Sequence, residues 1–197
     1  ILKVAKLLDK AGFHGSRLQF DSNLSTNNLI SSFIRNGVYR ENILEELSDY
    51  DPKLLVAFKG SSDPSIQANT QTTLTLEEQT AAFKRLVDAG LDCYPYVYNP
   101  NPGELEGFID YVEQYVDNFG KKLHVGRLNF YEVLKPRFEG LAKKQGITYE
   151  EFRDRKIAEW KYNYEQSNKE MERILVERYD IHYKEIERPS VRLKVIA

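Results

Sequence analysis

The stretch Thr75-Leu-Glu-Glu-Gln-Thr-Ala-Ala-Phe-Lys-Arg-Leu-Val-Asp-Ala-Gly90, followed by Leu91-Asp-Cys-Tyr-Pro-Tyr-Val-Tyr98, reads as one helix and one strand in succession. Thr75 with Glu78 has the spacing of a capping box, in which each residue satisfies a backbone N–H of the first turn. Phe83, Leu86 and Val87 fall on one helical face, and Gly90 suits the left-handed residue that ends a helix. Residues 92–98 are then β-prone and apolar-aromatic, as a strand requires.

The same unit recurs on both sides. Upstream, Val4, Leu7, Leu8 and Ala11 share a helical face, Gly12 ends that helix, and residues 17–21 read as a strand. Residues 54–59 form another strand, apolar at consecutive positions, for which burial on both faces is expected. Helical segments at 27–36 and 40–47 supply the crossover that parallel pairing needs. Downstream, Asn101 caps, Pro102 fits a first helical position, and Leu105, Phe108, Ile109, Val112 and Tyr115 make the apolar stripe. Gly120 then precedes a strand at 123–128. Repeated helix–strand alternation implies parallel strands with right-handed crossovers and helices on at least the outer face. The expected fold is α/β, a partial, half TIM-like barrel of about four parallel strands.

The last third departs from that rhythm. Thr148 with Glu151 opens a long charged helix running to about Arg178, and residues 181–195 alternate weakly around Pro189. Two regions are expected: a barrel portion at 1–135, and a capping segment at 136–197 made of the long helix and an extended tail.

Composition narrows the function classes. The 197 residues carry 28 Lys plus Arg against 30 Asp plus Glu, a balance that makes nucleic acid an improbable partner. No apolar run approaches the roughly 20 residues of a membrane span, so no membrane role and a cytoplasmic location are expected. The chain opens at Ile1 inside a helical pattern, without a start Met or a cap, and is expected to be part of something longer. Cys93 is the single cysteine and is expected to be a packed core thiol.

Barrel sites gather at the C-terminal ends of strands, which directs attention to the residues just past each apolar run. These are Asp21 and Asn23, then Lys59, Ser61 and Ser62, then Tyr98 and Asn99, then Arg127 and Asn129. Alternation in the first strand turns Leu18 and Phe20 toward the helices and Arg17, Gln19 and Asp21 toward the lumen. Asp21 with Ser22 could equally make a simple side-chain-stabilised turn. Lys59-Gly-Ser-Ser-Asp-Pro-Ser65 offers a cation and backbone N–H groups to a carboxylate or phosphate, although it is also ordinary loop composition. His14, His124 and His182 are scattered, so no metal site is expected, and no phosphate-loop, dinucleotide or nucleophile-elbow motif is present. No catalytic residue can be assigned.

The order of segments resembles the second half of the radical S-adenosylmethionine (SAM) enzymes. In that family a helix ending Leu-Leu-x-x-x-Gly-Phe leads to a strand with a Thr-Asn-Gly-like turn; here Leu7-Leu8-Asp9-Lys10-Ala11-Gly12-Phe13 leads to Phe20-Asp21-Ser22-Asn23. The family's Val-Ser-x-Lys-Gly strand end is similar to Val56-Ala57-Phe58-Lys59-Gly60, and its Leu-x-x-Ala-Gly helix end to Leu86-Val87-Asp88-Ala89-Gly90. The likeness covers about residues 1–131, and the tail's Arg188-Pro189-Ser190-Val191 looks like a barrel-closing extension. The three-cysteine cluster signature of the family is not among these residues.

The resemblance implies that the intact protein uses SAM and a [4Fe-4S] cluster, the latter held by no cysteine of this chain, to make a 5'-deoxyadenosyl radical. It implies SAM contacts from Lys59 and Ser61, ribose or substrate contacts from Asp21 and Asn23, and adenine-side contacts from Arg127 and Asn129. The chain alone would be inactive. Its partner would be the missing N-terminal half of the barrel or another copy of the chain, with a small molecule, a peptide or another compound as substrate. A stand-alone small-molecule-binding domain and half of a non-redox TIM-barrel enzyme are the rival readings.

Overall fold

The computed structural model describes residues 1–13, 18–25 and 27–196, so the inward placement expected of Arg17 lies outside the described residues. Its centre is a four-stranded parallel sheet: β1 (Gln19–Ser22), β2 (Lys53–Phe58), β3 (Asp92–Tyr98) and β5 (His124–Gly126), hydrogen-bonded in that order. The order follows the chain without reversal. A short β4 (Val116–Asp117) pairs antiparallel with β6 (Lys194–Val195) of the tail. The expectation of an α/β chain with four parallel strands and a long C-terminal helix therefore holds at that level.

Register explains the two faces. Phe20 is opposite Leu54, which is opposite Cys93; Val97 is opposite Val125. Side chains alternate along a strand, so these residues share one face, where Leu54, Val56, Phe58, Cys93, Val97 and Val125 are buried. Phe58 sits at the hub, edge-on to Phe83 of α5 (Leu76–Asp88), Phe108 of α6 (Leu105–Glu113) and Phe119 of α7 (Phe119–Lys122), with ring centroids 5.3–5.6 Å apart. Those three helices therefore cover the same side. Edge-to-face pairs of this kind add roughly 0.5–1.5 kcal/mol each beyond burial.

The other face is more open. Lys53, Leu55 and Ala57 are only partly buried, so residues 54–59 are not covered on both sides as their apolar run suggested. Tyr94, Tyr96, Tyr98 and His124 continue this face across β3 and β5.

Local signals account for several helix ends. The Thr75–Glu78 capping box forms, and Thr148 accepts from the Glu151 N–H at the start of α9 (Tyr149–Tyr179). Two helices went unanticipated: α4 (Asp63–Thr70), inside what reads as a loop, and α8 (Lys135–Gln145). The strand expected at 123–128 is confined to His124–Gly126, and Gly120, which precedes it as expected, lies within α7. A Cβ on Gly120 would sit 3.1 Å from Ile109 Cγ2 and 3.3 Å from the Tyr179 hydroxyl, so a larger residue there would make these side chains shift by a few tenths of an ångström. Tyr115 lies past the end of α6 and is exposed.

The long helix belongs to two packing groups. Met171, Ile174 and Leu175 join the core that contains the strands, whereas Phe152 packs with Phe138 and Ala142 of α8 in a separate cluster. Its outer surface carries ion pairs, among them Arg155–Glu151 and Arg173–Glu170. The tail is anchored where the Val125 N–H donates to the Tyr183 hydroxyl and the Lys122 ammonium donates to the Val191 carbonyl. Among the described residues no helix is long and apolar enough to cross a membrane.

Candidate functional site

A cleft of about 1190 Å³ opens at the C-terminal ends of the strands. Lys59 follows β2, Tyr98 ends β3, Asn99 comes next, and Asn23 and Asn129 line it after β1 and β5. A smaller hollow of about 440 Å³ lies over the open sheet face and shares Asn23, Lys59 and Tyr98 with the cleft while adding Asp21. Six of the residues singled out by strand-end position thus border one connected region.

Lys59 is the most informative of them. Its ammonium stands over the Tyr98 ring, 5.2 Å from the centroid, and burial lowers its pKa from the ordinary lysine value. Among the described residues no carboxylate lies within ion-pair distance of it. Tyr98 in turn lies against Gly126, its register partner; a Cβ there would come within 2.8 Å of the ring. The Tyr98 hydroxyl is pushed up, first by burial and then by the proximity of Tyr96, Asp21 and Tyr131.

Behind Lys59 runs an amide network. Asn69 of α4 donates to the Lys59 carbonyl at 2.7 Å, Asn99 donates to the Asn69 side chain at 3.3 Å, and Asn163 of α9 donates to the Asn99 side chain at 3.0 Å. Asn99 is held at φ +48°, a left-handed conformation that Asn tolerates better than most residues. Gln79 of α5 completes the support by accepting from the Lys59 N–H and donating to the Asn23 carbonyl. Arg137 of α8 enters the cleft wall and donates to the Asn69 and Ala68 carbonyls, while its Nε is buried without a partner. Three cations line the cleft: Lys156 is paired with Glu159, which lines it too, whereas Lys59 and Arg137 have no carboxylate within ion-pair distance among the described residues.

Other expected positions serve different ends. Ser61 is buried, donates to the Glu104 carboxylate at 2.9 Å and accepts from the Asn101 N–H; it lines neither hollow. Ser62 also donates to Glu104, and the N–H groups of Ser61 and Ser62 both go to Ser65 Oγ. The Ser61 and Ser62 N–H groups are therefore used in capping α4, and of residues 59–65 Lys59 and Ser65 line the cleft. Asn23 accepts from the Ser25 N–H and hydroxyl, so the side-chain turn anticipated at Asp21 and Ser22 centres on Asn23, with Ser22 accepting from Leu24. Arg127 is exposed and lines neither hollow.

Sequence reasoning missed Asn69, Arg137 and Asn163. Each sits on a helix that reaches the cleft only through tertiary packing.

The residues present do not fit an iron–sulfur cluster. Cys93 is buried on the helix-covered side of the sheet with its thiol pushed up to about 12 by burial, which disfavours the thiolate a cluster needs. Among the described residues no group of three His, Cys, Asp or Glu could hold a metal ion. A carboxylate or phosphate does suit the donor set of Lys59, Arg137 and the side-chain amides. No family model matches the chain, and neither the curated proteins nor the solved structures contain a significant match.

Proposed function

We propose that this chain is the ligand-binding arc of a barrel of the radical SAM type, and that its cleft receives the anionic end of a small molecule. The observation that carries the reading is the Lys59 ammonium, partly desolvated at a strand end on the cleft wall and without a carboxylate in ion-pair distance among the described residues. A cation that gives up hydration without gaining a counter-ion is a cost to the fold, and an anionic ligand removes that cost. Arg137, with its unpartnered Nε, supplies a second positive group on the same wall. The sequential order of the parallel strands, with α5, α6 and α7 on one side and polar and aromatic residues on the other, supports a barrel arc over a doubly wound sheet.

SAM, with its α-carboxylate, is the ligand that the family resemblance adds. The thiolates for a cluster are not among these residues, and no chemical step through a cluster is assigned to them. Lys59 would hold the ligand's carboxylate, the Asn69–Asn99–Asn163 network would fix the strand-end backbone, and Tyr98 would form the floor.

Trp160 is the only tryptophan and lines the cleft, so its fluorescence reports occupancy there. Titration with SAM, decarboxylated SAM and inorganic phosphate, followed by calorimetry, tests the reading. SAM should bind, decarboxylated SAM should bind about tenfold to a hundredfold more weakly, and Lys59→Met should erase the difference. Equal affinity for SAM and its decarboxylated form, or no binding of either SAM or phosphate, would overturn it.

A further inference from the structure

The smaller hollow carries opposite charges at its two ends. Asp21, at the end of β1, is exposed and has no ion-pair partner among the described residues; Lys59, past the end of β2, has none either. Both border the same 440 Å³ space, and they do not pair with each other. The register explains why. Asp21 is level with Leu55, and Lys59 lies four residues farther along that strand, about 13 Å at the rise of a parallel strand. The floor between them is apolar, made by Leu55 and Ala57, and one wall is aromatic, made by Tyr96 and Tyr98. The Tyr96 ring is fixed by stacking on His124, centroids 4.6 Å apart and planes 8° from parallel.

We propose that this hollow binds an elongated zwitterion, an ω-amino acid or a basic amino acid, with its ammonium on Asp21 and its carboxylate on Lys59. The inference rests on the reading of Lys59 as an anion receptor and adds the second half of the ligand. Each feature corresponds to one part of such a molecule. The carboxylate of Asp21 takes the ammonium as a charge-assisted hydrogen bond, and the adjacent tyrosine faces favour a cation. The Leu55–Ala57 floor takes the methylene chain. The separation of the charges selects for length: glycine, with both charges on one carbon, reaches only one end, whereas a five- or six-carbon chain spans toward both. The volume falls in the range of small-molecule sites.

Calorimetry on the whole chain with glycine, 4-aminobutanoate, 6-aminohexanoate, hexanoate and hexylamine tests this. Affinity should rise by about tenfold or more from glycine to 6-aminohexanoate, and 6-aminohexanoate should exceed both hexanoate and hexylamine. Asp21→Asn should lower 6-aminohexanoate binding about tenfold and leave hexanoate unchanged, whereas Lys59→Met should weaken both. Asp21 is exposed, so D21N should keep the wild-type circular dichroism spectrum and melting curve. If glycine matches 6-aminohexanoate, if 6-aminohexanoate shows no binding at millimolar concentration, or if D21N changes nothing while K59M abolishes binding, the zwitterion assignment is overturned. The last of these outcomes leaves the anion receptor standing; loss of all dependence on Lys59 removes both.

Discussion

Asp92→Asn should be among the most damaging single-atom changes available to this chain. Asp92 stands at the start of β3 and takes Lys122 on one oxygen at 2.6 Å and Lys53 on the other, with the Tyr94 hydroxyl also donating at 3.1 Å. The Lys122 side chain is 2% exposed and that of Asp92 7%, so this is a buried ion pair. Replacing the carboxylate leaves Lys122 with the Val191 carbonyl at 3.0 Å and the Tyr94 ring at 4.5 Å, and with no opposite charge in contact. Breaking a buried pair from one side costs about 3–5 kcal/mol. In a domain of this size each kcal/mol moves the melting temperature by roughly 2–4 °C, so a fall of roughly 6–20 °C is expected. The Asp92 carboxyl itself is held below the usual carboxylate value. Burial raises it, and the hydrogen bonds from Lys122 and Lys53 outweigh that. Its stabilising contribution is therefore complete above the unfolded carboxyl pKa, near 3.9, and is lost as pH falls through the lower folded value. Thermal denaturation followed by circular dichroism at pH 7 and across pH 2–5 reads both effects. D92N should flatten the acid limb, and D92N combined with Lys122→Met should recover much of the loss, because the stranded charge has gone. A D92N melting curve within a degree or two of wild type, or no recovery in the double variant, would refute the reasoning.

Gly60→Ala should cost about 1–3 kcal/mol, because the new Cβ would lie 2.7 Å from the Ile66 backbone nitrogen and 2.3 Å from Ser65 Oγ, and backbone must move; a melting curve unchanged from wild type would contradict it. The imidazole of His124 should titrate near pH 4, its pKa lowered first by burial and then by Arg188, while that of His182, hydrogen-bonded to Glu172, should titrate above the ordinary value. The two have opposite signs for stability. Below about pH 6.5 His124 opposes folding increasingly until its own pKa is reached, whereas His182 favours folding at low pH and loses that contribution as pH rises through its raised pKa. Proton–nitrogen spectra of the imidazoles across pH 3–8 check this, and coincident midpoints would refute the assignment.

Local features were legible before any coordinates. The helix 76–88 announces itself through Thr75, Glu78, three apolar residues on one face and Gly90, and it forms as read. Lys59, Tyr98, Asn99 and Asn129 were reachable from the rule that barrel sites sit at strand ends, because that rule needs only the strand boundaries. What failed was whatever depended on distant partners. Ser61 looked like a ligand contact because nothing in its neighbourhood reveals Glu104, forty-three residues away, which takes its hydroxyl. Helix α4 was hidden by Gly, Ser, Asp and Pro, the composition of a loop; its cap Ser62, the reciprocal Ser65 and Pro64 in the first turn were the available signal. Asn163 and Arg137 lie on helices whose sequence gives no hint that they border the strand ends, and only the packing of α8 and α9 brings them there.

The two ends of the sheet treat charge in opposite ways, and that contrast separates stability from binding. At the N-terminal end, Lys53 and Lys122 share the carboxylate of Asp92 within the fold. At the C-terminal end, Lys59 and Asp21 are left without counter-ions among the described residues. Removing one partner of the buried pair strands a charge inside the fold, whereas the partly buried Lys59, kept unpaired at the cleft, costs folding free energy and is usable by a ligand. Lys59→Met should therefore do the reverse of D92N. Removing an ammonium whose pKa burial already lowers should leave the melting temperature unchanged or raise it by a few degrees, the value of up to about 1 kcal/mol, while anion binding falls. Parallel melting and titration of K59M and D92N test this: the first should lose ligand and keep stability, the second should lose stability and, below its melting point, keep ligand. If K59M melts as low as D92N, Lys59 is holding the strand end together, and its assignment to a ligand fails with it.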